Sequence, residues 1–188
     1  MELRALGIAT LVGGLLCTTA SSARAQDADV SDRLILGGEA AVMFPFTDPQ
    51  IEEHYPGGTV SLAMQWPVTK FLMPLLRLRS GWLSPRQGSS AQLLSASIGL
   101  RFRPRGIAFP EEPSRASCIW AEVDASIASL NGALRPAYEV AIGFGFLVDD
   151  VTLGPVVRFI HVVEDSSSSE LPTYVLTGGL EVLLNDAR

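Results

Sequence analysis

His54 and His161 are the imidazoles of this 188-residue chain, and general-base chemistry needs one of them within hydrogen-bond reach of a nucleophile. His161 is followed by Glu164 and Ser166, residue types that act as orienting acid and nucleophile in hydrolases. A larger signal is of a different kind. Glu39, Arg77, Arg79, Arg101, Arg103, Glu122, Asp124, Glu139, Arg158 and Glu181 are five acids and five arginines, each at an alternating position within an otherwise apolar segment. The planar fork of arginine pairs carboxylates two bonds at a time, so a balanced set without lysine suits a confined ion-pair network better than a wetted surface. No calcium-loop spacing is found, and Asp48, Glu52, Glu53 and the Ser166 to Ser169 run read as solvated loop. No catalytic site, metal or cofactor is expected.

The elements that position these charges follow a period of two. In Leu93 to Arg103, Leu94, Ala96, Ile98, Leu100 and Phe102 share one side and Ser95, Ser97, Gly99, Arg101 and Arg103 the other, which is the alternation of an extended strand and not of a helix. Seven further segments repeat it: Arg33 to Phe44, Thr59 to Trp66, a third strand carrying Leu76, Leu78 and Trp82 opposite Arg77 and Arg79, Cys118 to Ala128, Ala137 to Val148, Val151 to Val163, and Thr173 to Leu184. Pro74 limits where the third strand starts, and Pro155 removes a ladder donor from the seventh. Asn131-Gly132 and Asp149-Asp150 are tight turns. Pro45 to Gly58, Leu83 to Ser90 and Glu164 to Pro172 are long loops, Pro67 to Lys70 is short, and Pro104 to Ala116 breaks this alternation of lengths.

Eight strands of this length suit a membrane barrel, whose strands run to about 9 to 11 residues. The apolar faces are almost free of charge, and the opposite faces hold the acids and arginines among Gly, Ala, Ser and Thr. Aromatic residues on the apolar faces gather at strand ends as Phe44, Trp66, Trp82, Phe102, Tyr138, Phe146 and Tyr174, the placement of two interfacial girdles. The fold expected is therefore all-β: an eight-stranded antiparallel up-and-down transmembrane β-barrel, with grease outside and a polar, plugged interior.

The N-terminus reads as an export signal, residues 1–25. Ala5 to Leu16 is uncharged and apolar but too short to span a bilayer, and Ala23-Arg24-Ala25 is a cleavage signal. Residues 26–32 form a lead-in, 33–184 the barrel and 185–188 a tail. A formal net charge of −6 argues against nucleic acid as a partner. With Cys17 in the signal, Cys118 stands alone, so no internal disulfide is expected.

These residues resemble the eight-stranded outer-membrane barrels of the outer membrane protein A type, found in Gram-negative bacteria. The resemblance spans about Arg33 to Leu184 and rests on pattern. It implies an outer-membrane location, a lumen plugged by an ion-pair network, outer-membrane lipid as a partner, and a structural or surface-interaction role carried by the long loops. Many members add a peptidoglycan-binding domain, and no such second domain is expected within these 188 residues; Asn185-Asp186-Ala187-Arg188 stands where they carry a terminal aromatic. A small barrel enzyme acting on lipids is the first alternative. The lipid A deacylases resemble it, but their His-x-Ser motif needs serine where this chain has Val163. A soluble lipocalin-like barrel binding an apolar ligand is the second.

Overall fold

The computed structural model describes residues 34–48, 50–69, 71–86, 90–104, 117–130, 132–149, 151–163 and 173–185. The signal segment, the lead-in, and most of Pro104 to Ala116 and Glu164 to Pro172 lie outside them. The strands are β1 (Ile35–Pro45), β2 (His54–Gln65), β3 (Leu72–Pro85), β4 (Ala91–Phe102), β5 (Ser117–Leu130), β6 (Ala133–Val148), β7 (Val151–Val162) and β8 (Thr173–Asn185), with a single-turn helix α1 (Gln50–Glu53) before β2. Each strand pairs with the next in sequence, and β8 pairs antiparallel with β1, from Ile35 opposite Asn185 to Pro45 opposite Val175. Closure leaves no free strand edge.

Period-two alternation determines the facing throughout. Leu62, Leu78, Ile98, Val123, Ile142 and Leu180 are exposed on the outside, while their strand neighbours Ser61, Arg77, Ser97, Glu122, Ala141 and Glu181 are buried inside. Among the described residues, no outward-facing strand position carries a charge.

Several strand limits differ from the sequence reading. The expected loop Pro45 to Gly58 is shorter, because β1 runs through Pro45 and β2 begins at His54. The Pro56-Gly57-Gly58 stretch is absorbed by a register shift between Tyr55 and Gly58, the irregularity by which a bulge accommodates residues that fit a ladder poorly. Strand β3 begins at Leu72, ahead of Pro74, and extends to Pro85, which shortens the loop expected from Leu83. Strand β6 starts at Ala133, not Ala137, and runs through Pro136, whose carbonyl accepts a bond from the Val163 amide at 2.9 Å. Asn185 belongs to β8 and not to a tail. Pro155 stays within β7, and the β6–β7 ladder is interrupted between Gly143/Val156 and Phe146/Leu153. The turns use the left-handed region, with φ of 95° at Gly132 and 52° at Asp149; aspartate tolerates it better than most side chains.

Candidate functional site: the charged barrel interior

We call the barrel end that carries the β1–β2, β3–β4, β5–β6 and β7–β8 connections the top, and the other the base. All ten charged residues singled out from the sequence project inward and are buried. They come from every strand except β2, which contributes Ser61.

Glu122 on β5 is the hub. It accepts from Arg77 Nη2 at 2.8 Å and from Arg101 Nε at 2.8 Å, and Arg158 Nη1 lies 2.6 Å from it. Arg101 spans two strands: one edge of its guanidinium meets Glu122, and the other meets Glu181 on β8 at 2.9 and 2.6 Å. Glu39 on β1 gathers Arg77 at 3.0 Å and Arg158 at 3.2 Å. Arg158 also donates to Asp124 at 3.0 Å and to Glu139 at 3.4 Å. Arg79 is held more loosely, by ion pairs of 3.3 Å to Glu139 and 3.7 Å to Glu39. Arg103 is fully buried below this cluster. Pairing at this density offsets the cost of burying charges that are too expensive to bury alone, and it ties strands that do not touch through the backbone.

Four interior residues went unassigned from the sequence. Arg135 is buried near the top and makes a sixth interior arginine; it was missed because β6 was started after Pro136. His54, read as a loop residue, faces inward at the start of β2, and Gln65 is wholly buried at its end. Trp120, which alternation placed on the polar face without a role, is the largest fully buried side chain among the described residues; the Arg101 guanidinium carbon lies 3.7 Å from its ring centroid, a cation–π contact. The ring also lies across Gly143, its cross-strand partner, where a Cβ would meet the indole at 2.2 Å. Glycine there makes the stack possible. Gly143→Leu is expected to destabilise the barrel by about 1 to 3 kcal/mol through overpacking; urea unfolding in lipid vesicles measures this directly.

The polar, plugged interior expected from the sequence is present, and buried apolar side chains accompany it toward both ends. At the top, Met43, Leu83, Leu93, Ile160, Val162 and Val175 belong to one buried apolar cluster, and at the base Ile35, Met73 and Leu183 form another. The ion pairs around Glu122 thus lie between two apolar clusters, while Arg103 toward the base and Arg135 toward the top are also buried.

Outside, Phe44, Trp82, Tyr138 and Tyr174 lie toward the top, and Trp66, Phe102 and Phe146 toward the base. Trp66 follows the last residue of β2, its amide donating to the Pro74 carbonyl at 2.9 Å. Phe46, Tyr55 and Phe71 are further exposed aromatics near strand ends. His161 stands on the outer surface between Tyr138 and Tyr174, with ring centroids 4.6 and 4.3 Å away. Its register partners were readable only after strand pairing was known. Glu164 and Ser166, its sequence-suggested companions, lie outside the described residues.

No protein-family model matches the sequence, and no curated protein matches it. Among solved structures, the chain is similar to the outer membrane protein OprG from Pseudomonas aeruginosa, with a TM-score of 0.53 and 10% identity over 81% of this chain and 96% of that one. It is similar also to Neisserial surface protein A, with a TM-score of 0.52 and 10% identity over 79% of this chain and 96% of that one. The shared feature is the fold, a closed eight-stranded antiparallel β-barrel of the outer-membrane type.

Proposed function

We propose that the protein is an integral outer-membrane barrel, exported by a cleaved signal peptide, closed to solutes, with a structural or surface-interaction role and no enzymatic activity. The observation that carries this reading is the inversion of the barrel. An exterior with Leu62 71% exposed and Leu78 65% exposed, and a fully buried Arg101 inside, is unstable in water and stable in a bilayer. A lipocalin-like barrel needs the opposite arrangement. Ion pairs and apolar layers fill the interior, as expected for eight strands, which enclose little more than their own side chains. The top connections then face outward from the cell and are the surface offered to a partner.

The test is electrophoresis of the detergent-extracted protein, unheated against boiled, with planar-bilayer recording. The expected outcome is a heat-dependent shift in migration and no stepwise conductance. A protein soluble without detergent contradicts the membrane reading, and steady single-channel steps contradict the closed interior.

A further inference from the structure

The outer surface of β2 to β5 is not evenly filled. A hollow of about 800 Å³ is walled by Leu62, Leu76 and Ile98, and a second of about 870 Å³ by Leu78, Leu94 and Leu134. Both include Ala96, whose small side chain leaves room where Leu78 and Ile127 flank it in the register. Each is within the range of small-molecule sites, about 300 to 1,000 Å³. A third hollow of about 370 Å³ adjoins the second at Leu94 and Ser129 and is rimmed by Ser90 and Gln92. The groove therefore runs from an apolar lower part to a hydroxyl- and amide-bearing top.

That polar end has a defined level. Gln92 stands opposite Trp82 in the β3–β4 register, and Trp82 belongs to the upper aromatic row, where a bilayer changes from hydrocarbon to headgroup. We propose that this groove holds one glycerophospholipid, its acyl chain along Ala96 and its ester and glycerol oxygens at Ser90, Gln92 and Ser129. An apolar lower part and a polar end at interfacial depth match an amphiphile. Among the described residues, those lining the polar end, Ser90, Gln92 and Ser129, are neutral, which fits ester and glycerol groups better than a phosphorylated sugar that calls for cations. The assignment rests on the membrane reading above.

The experiment uses the full barrel refolded into vesicles containing phosphatidylethanolamine and a phosphorylated glucosamine lipid, then extracted in mild detergent for native mass spectrometry. Ala96→Trp and Ala125→Phe fill the groove from β4 and β5; Leu180→Trp, exposed on β8, is the control. The expected result is one retained phospholipid on the unmodified barrel and on Leu180→Trp, falling about tenfold in both groove variants. If either groove variant fails to fold, the other carries the test. Equal retention in all variants, preferential retention of the glucosamine lipid, or a second copy of the chain released by Ala96→Trp overturns the proposal. A barrel that shows the heat-dependent shift yet retains no lipid overturns the groove alone, whereas failure to insert overturns the membrane reading and the groove with it.

Discussion

Arg101→Ala is expected to lower the stability of the folded barrel by about 3 to 5 kcal/mol, the scale for removing one partner from a buried ion pair. Its guanidinium is fully buried and donates to Glu122 on one side and Glu181 on the other. Glu122 keeps Arg77 and Arg158 after the change, but the nearest remaining cation to Glu181 is Arg77 at 3.7 Å. A carboxylate is then stranded inside the barrel, and Trp120 loses the cation over its ring. Arg101→Lys should recover only part of the loss, since an ammonium keeps the charge without the fork. Equilibrium urea unfolding in lipid vesicles reads both, and an unchanged midpoint for Arg101→Ala contradicts a paired interior. Arg79→Ala should cost less, because its ion pairs are longer and Glu39 and Glu139 each retain Arg158.

Val140→Arg is expected to destabilise the membrane-inserted barrel by about 2 to 4 kcal/mol, the cost of arginine on the lipid face near the midplane. Val140 is exposed, mid-strand, between Val123 on β5 and Phe159 on β7. Among the described residues no cation or acid faces outward nearby, so an introduced guanidinium meets hydrocarbon or must snorkel toward an interface. The same substitution at Val148, exposed near the base end of β6, should cost about 0 to 1 kcal/mol. Refolding into vesicles compares the two. Equal, negligible costs at both sites contradict the assignment of this face to lipid.

The facing of each strand was legible because the side-chain period is two and one face must avoid charge. Arg101 and Ile98 differ in parity, and nothing else was needed to separate them. Strand ends were harder. Pro136 reads as a terminator, yet its side chain points outward and its carbonyl still serves the ladder, so β6 begins earlier and brings Arg135 inside. The two apolar clusters were harder to read: parity sends Leu93 to the side of Ser95, but only pairing around the closed sheet brings it together with Met43, Ile160 and Val175. Which acid meets which arginine depends on strand stagger around the closed sheet. Arg158 reaches Glu39 across a sequence separation of 119 residues, a pairing no local pattern contains.

The central claim is that strand β4 faces lipid on one side and a closed, ion-paired interior on the other. Single cysteines introduced in a Cys118→Ser background at positions 94 to 98 and at 100, spin-labelled after refolding into vesicles, test it position by position. Labels at 94, 96, 98 and 100 are predicted to be relaxed by oxygen dissolved in the lipid and shielded from a water-soluble nickel complex, while 95 and 97 are shielded from both. Nickel access at the even positions contradicts the membrane-facing exterior, and nickel access at the odd positions contradicts the closed interior.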